Sequence, residues 1–284
     1  MALRLSFLKF YLGLAVIISL TSFSHKALAY NLKHELFTAD LNKYVQNGLV
    51  NYSLWQKNQT NLNNYLKELS QITASQLDSL STDEKKALWI NAYNAFTVHL
   101  VLQFYPISGK IPYYPENSLR QIKGIWDNYF LDIAQKKVCI CEIEHDILRA
   151  FRDPRVHFVV VPASLSGAKL ANHAYTGQDI DFDLDKAKNE FLNNNDNFRV
   201  DMTTKTIYLS RIFKWFPLDF AIKSGLDITH FPPPSDKEII ISYIKSNGST
   251  EIQKILKSLT NDFKVDFLKF NWGLNDIKVK QASF

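Results

Sequence analysis

Cysteine is nearly missing from this chain: Cys139 and Cys141 are its only two. A disulfide across one intervening residue is strained by the usual Cα separation. Two thiols are also too few to hold a structural zinc ion. Free thiols that pack locally are the expectation. Runs of basic residues are lacking too. The formal charge is +5 over 284 residues, and removal of Arg4, Lys9 and Lys26 with an N-terminal leader would leave about +2. A balance so close to neutral, with no Lys/Arg cluster, argues against a nucleic-acid partner or another polyanion. Internal repeats and low-complexity tracts are absent as well, and past the first segment no apolar run is long enough to cross a bilayer.

That first segment has a basic start, the apolar run YLGLAVIISL (11–20) and then Ala27-Leu28-Ala29, a small-x-small cleavage pattern. It predicts a secretory signal peptide over 1–29, with cleavage before Tyr30. The remaining 30–284 is expected to be a single globular domain, exported to the periplasm or the exterior and without a stable membrane span.

Helix dominates the pattern. Phe37, Leu41, Tyr44 and Val45 recur at helical spacing with Gly48 as a stop, and Leu62, Tyr65, Leu66 and Leu69 repeat the pattern. Ser81 and Glu84 form a capping box ahead of a helix that reaches about Phe104 and is apolar nearly all round, so it should be buried. Ser235 and Glu238 repeat the box, and a further helix is expected over about 250–259. Helices are also expected over about 140–152 and 184–192. FRVDM (198–202) and TIYLS (206–210) read as two strands joined by a short turn, and FKVDFLKF as a late extended segment. Val156–Val161 is a nearly continuous apolar run, the pattern of a central strand covered on both faces. The fold class is therefore α/β or α+β: a helix-rich single domain around a small mixed sheet with its central strand at about 156–161.

The polar residues set into these apolar segments are the candidate site. Asn91 and Asn94 share a buried helix face, where an amide must be hydrogen-bonded; they hold either a ligand or neighbouring backbone. Glu144 stands within the apolar stripe Ile140, Ile143, Ile147, Phe151 and needs a cationic or donor partner, with His145, Arg149, Arg155 and His157 nearest in sequence. It could orient a histidine for catalysis, or tie the helix to the next strand. His157 is the one polar member of the 156–161 run. The loop PASLSGAKL (162–170) offers the hydroxyls of Ser164 and Ser166 and the permissive backbone of Gly167. Ser166 to Lys169 also fits S-x-x-K, but no S-D-N-like element lies between it and Lys223-Ser224-Gly225. His145, His157 and His173 with Glu144 match no compact metal motif, so no metal or cofactor is assigned.

Five segments, LWINAYNAF (88–96), IEHDILR (143–149), DPRVHFVVVPAS (153–164), LSRIFKWFPLDF (209–220) and FNWGLN (270–275), together resemble the bacterial and plant family catalogued as domain of unknown function 547. The resemblance implies no activity. The usual family pattern in the 162–170 loop is Cys-Ala-Ser-x-Ser-Cys-Pro-x-Leu, and this chain carries Pro162 and Gly167 at the two cysteine positions and Ala168 at the proline. A family nucleophile at either position would be lost here. If the pair is instead a disulfide, joint loss removes one staple.

Two functions stay open. One is a non-catalytic domain, or degenerate enzyme, that binds a small molecule or peptide in a polar pocket at the end of segment 156–161. The other is a hydrolase or acyl-transfer-like enzyme, with His157 or His145 as base and Glu144 orienting it. Asn91, Asn94, Arg149, Arg155, Ser164 and Ser166 are the accompanying binding residues.

Overall fold

The computed structural model describes residues 32–229, 231–260 and 263–278; the expected signal peptide lies outside them. Helix α1 (Glu35–Tyr44) runs into a two-residue hairpin, β1 (Val45–Gln46) and β2 (Leu49–Val50), closed at Asn47-Gly48 with φ of 53° and 81°. Positive φ at both turn positions matches the right-handed twist of paired strands, which is why Asn-Gly suits the site. Then come α2 (Tyr52–Trp55), α3 (Thr60–Gln71) and α4 (Ala74–Ser79).

Helix α5 (Thr82–Phe104) is the axis of the molecule. Ser81 Oγ accepts from Glu84 N–H and the Glu84 carboxylate accepts from Ser81 N–H, so the capping box forms. Buried residues occupy every side of the helix. Phe37 and Leu41 of α1 and Leu62, Tyr65 and Leu69 of α3 pack with it in one core. Hairpin β3 (Leu131–Ile133) and β4 (Lys136–Val138) leads to α6 (Ile140–Glu142), capped by Cys139 Sγ. Both cysteines are free, and burial pushes the Cys141 thiol up to about 11, which keeps it protonated and unreactive.

In the next stretch one sequence expectation holds in altered form and another fails. The helix expected over 140–152 changes pitch: α6 passes into a π-helical segment, Ile143–Leu148, and a 3-10 turn, Arg149–Phe151. The expected strand 156–161 is not a strand. Asp153 Oδ1 accepts from Arg155 N–H, Pro154 takes the first position, and residues Pro154–Phe158 form a 3-10 helix. An apolar run reads the same whether a strand or a buried turn follows, and here the cap and the proline decide.

Beyond it lie α7 (Ile180–Leu192), β5 (Phe198–Asp201) and β6 (Thr206–Leu209), then α8 (Arg211–Trp215), α9 (Pro217–Ala221), α10 (Asp236–Asn247), α11 (Thr250–Ser258) and β7 (Lys264–Phe267). β5 pairs antiparallel with β6, and β7 joins β6 in parallel. A second, aromatic core of Phe158, Phe191, Phe213, Phe220 and Tyr243 fills this part. The class is helix-rich α+β with sheets of two or three strands. Among the described residues, no helix is long and apolar enough to cross a membrane.

The segment 270–275 then ties the 162–170 loop and the region of β2 and α2 together. Leu165 N–H donates to Gly273 C=O, Asn271 N–H to Ser166 Oγ and Val50 N–H to Asn275 C=O. Tyr52 O–H donates to Asn275 Oδ1. These bonds hold Trp272 in place.

Candidate functional site

A cavity of about 320 Å³ opens between α5, the π-helical segment, α8 and the 270–275 segment. Tyr93, Arg120, Trp126, Glu144, His145, His157, Val160, Pro162, Ile212, Trp215, Phe216, Phe270 and Trp272 line it. Its size is at the small end of ligand pockets, which span roughly 300–1,000 Å³. The aromatic walls are packed rather than loose. Trp215, Phe270 and Trp272 contact one another with ring centroids 4.5–5.6 Å apart.

His157 is 2 % exposed, and its ring stacks on Phe216 at 4.1 Å. Its Nε2 lies 2.8 Å from Asp219 Oδ2. Arg149 grips the same carboxylate with two bonds, Nε to Oδ2 at 2.7 Å and a terminal nitrogen to Oδ1 at 2.9 Å. Asp219 sits in the first turn of α9, which Pro217 opens, where the helix dipole favours a negative charge. Burial pushes the Asp219 pKa up, but the bonds from His157 and Arg149 outweigh it and hold the carboxyl well below the usual range. Nε2 is engaged with Asp219, which leaves Nδ1 as the ring's other polar atom. That nitrogen is buried and has no partner.

The carboxylate that fixes His157 is therefore Asp219, 62 positions away in sequence, and not Glu144. Glu144 Oε2 accepts from Tyr93 O–H at 3.2 Å instead. Glu144 lies in the π-helical segment and lines the cavity beside Tyr93. His145 is exposed at the rim, its ring 6.0 Å from Phe216.

The other sequence candidates divide by place. Asn91 Nδ2 donates to Tyr175 C=O and its Oδ1 accepts from Tyr175 N–H. Asn94 bridges Val159 C=O and Val161 N–H in the same way. Both amides are spent on backbone. Arg155 lies in an ion-pair network with Asp153, Asp181 and Asp185, and Lys86 joins it through Asp153; none of these lines the cavity. Ser164 and Ser166 line a different groove with Asn47, Lys169, Arg199 and Lys269. His173 pairs with Asp183 and also lies outside the cavity. Among the described residues, no group of three or more His, Cys, Asp or Glu side chains could hold a metal ion.

Sequence reading missed Arg120, Asp219 and Trp272. Asp219 sits inside LSRIFKWFPLDF, but no local pattern ties an acid in that stretch to a histidine before it.

The loop positions Pro162 and Gly167 are neighbours. An ideal Cβ at Gly167 lies 2.9 Å from Pro162 Cδ and 3.0 Å from its Cγ. Cγ is one bond from Pro162 Cβ, so the two β-carbons stand within about 4.5 Å, a span a disulfide can bridge. The adjacency supports a staple, rather than a nucleophile, as the role of a cysteine pair at these positions. Pro162→Cys combined with Gly167→Cys should cross-link on oxidation and stabilise the fold by about 2 kcal/mol over its reduced form. Intact mass under non-reducing conditions and melting with and without reductant measure this; two persistently free thiols would count against the geometry.

No curated protein and no solved structure matches the chain. Residues 77–192 match the model of the family described as protein of unknown function DUF547. They contain α5, the π-helical segment, the 3-10 helix with His157 and the 162–170 loop, so the part of the chain that carries the cavity's histidines and Glu144 matches that family.

Proposed function

We propose that this is an exported, non-catalytic binding domain that takes a small molecule into the aromatic cavity and anchors it on His157 Nδ1. The observation that carries the reading is the unpartnered Nδ1 of a buried histidine at the wall of a cavity. A buried polar atom without a partner costs on the order of 1–3 kcal/mol, and a ligand hydrogen bond at this point recovers it. Asp219 and Arg149 fix the ring so that the nitrogen is presented in one orientation. Export is supported by the basic start, the apolar run and the Ala-Leu-Ala pattern of residues 1–29.

An acyl-transfer mechanism needs a nucleophile beside the base. Tyr93 is the sole hydroxyl among the residues lining the cavity, no thiol is among them, and Ser164 and Ser166 face elsewhere. This favours binding over covalent catalysis.

Trp126, Trp215 and Trp272 line the cavity, and the chain has five tryptophans in all. Ligand entry should therefore be read directly as a saturable change in intrinsic fluorescence. In a screen of small polar and aromatic compounds, hits are expected to bind wild type at least about tenfold more tightly than His157→Asn. Equal affinity for the two proteins, with both folded, would remove His157 from the site.

A further inference from the structure

We infer that the cavity selects a carboxylate-bearing ligand, with Arg120 as the group that recognises the carboxylate. This rests on the binding reading above and names the ligand class.

Arg120 lines the same cavity as His157. Its guanidinium is held by rings: the central carbon lies 4.3 Å from the Trp272 ring centre, 5.1 Å from Trp126 and 5.9 Å from Tyr114. None of the ion pairs among the described residues includes it. Its Nε is buried and lacks a hydrogen-bond partner. By contrast, Arg149 and Arg155 each grip a carboxylate through two nitrogens. A planar guanidinium over indole faces does not use its N–H donors in those contacts, and its forked donor edge matches a carboxylate.

The other charged or titratable groups at the cavity are Glu144, His145, His157 and Tyr93. Glu144 would repel an anion, but it already accepts from Tyr93, and its second oxygen is open to an N–H or O–H of the ligand. Asp219 is neutralised by Arg149. Arg120 is thus the cation in this cavity that the protein does not itself use. Together with His157 Nδ1 it describes a ligand with a carboxylate at one end, a hydrogen-bonding group at the other and a flat apolar face against Trp126 or Trp272. The volume suits one ring with short substituents rather than a polymer.

The test compares 4-hydroxyphenylacetate with 4-hydroxyphenylacetamide, which has the same shape and hydroxyl but no charge, by fluorescence titration of the wild-type protein. The acid is expected to bind at least about tenfold more tightly than the amide, the difference a charge-assisted pair makes. Arg120→Gln should bring the two within about twofold, and Arg120→Lys should retain part of the preference. Glu144→Gln should strengthen binding of the acid. If the amide binds wild type as well as the acid does, the carboxylate assignment is overturned while the binding reading stands. A preference for the acid that survives in folded Arg120→Gln overturns it too. If neither compound binds at millimolar concentration, both fall.

Discussion

Asn94→Leu is expected to destabilise the protein by about 3–4 kcal/mol, although the two side chains have the same number of heavy atoms and the same branching. Asn94 is 2 % exposed. Its Nδ2 donates to Val159 C=O and its Oδ1 accepts from Val161 N–H, each at 2.9 Å. These backbone groups follow the 3-10 helix in a stretch that is neither helix nor sheet, so no ladder is there to satisfy them. A leucine leaves both buried and unpaired, at on the order of 1–3 kcal/mol each, and the apolar gain of an already buried site offsets only part of that. Urea unfolding gives the number, with an unchanged m-value as the check that the same transition is compared. Asn94→Asp keeps an acceptor for Val161 N–H but sets an oxygen against Val159 C=O, so it should also be destabilising. A loss under about 1 kcal/mol for the leucine variant would mean that the 159–161 backbone finds other partners.

The second large effect is a loss of stability between pH 6.5 and 4. His34 Nδ1 lies 2.6 Å from Tyr65 O–H in the core of α1 and α3, and burial lowers its pKa from 6.5 to about 4. As pH falls through 6.5 the unfolded chain takes up a proton that the folded chain refuses until about pH 4. The unfolded state then holds more protons, so stability drops as pH drops across this window, by about 3 kcal/mol in total. Burial lowers the pKa of His99 as well, which adds to the slope in the same direction. Asp219 acts in a different window: its carboxyl is held low, so its contribution is lost only as pH falls below the ordinary carboxylate pKa. Unfolding free energies at pH 7 and pH 4.5 should therefore converge in His34→Asn far more than in wild type. Parallel slopes in the two proteins would show that His34 is not the group responsible.

What could be read from the sequence was local. The capping boxes at Ser81/Glu84 and Ser235/Glu238, the buried length of α5 and the pair of strands around residue 203 are set by neighbours three or four positions away. The Asn47-Gly48 hairpin was equally local and went unread, because Gly48 also ends a helical pattern. Segment 156–161 could not be read: buried strand and buried turn share one apolar signature, and the backbone partner that decides between them is an amide on α5. The site was legible by half. Its histidines and Glu144 stood out as polar residues in apolar stripes, whereas Asp219, Arg120 and Trp272 enter through contacts 37 to 115 residues distant from His157, which no periodicity records.

The most direct test is nitrogen NMR of the ¹⁵N-histidine-labelled protein, titrated with a compound selected by the fluorescence screen. If the cavity is a binding site anchored on His157, the Nδ1 resonance of His157 moves to saturation with the same dissociation constant as the tryptophan signal. The nitrogens of His34, buried in a different part of the core, stay where they are. If the tryptophan signal saturates while His157 Nδ1 stays still, the ligand is held elsewhere and the unpartnered nitrogen is not its anchor.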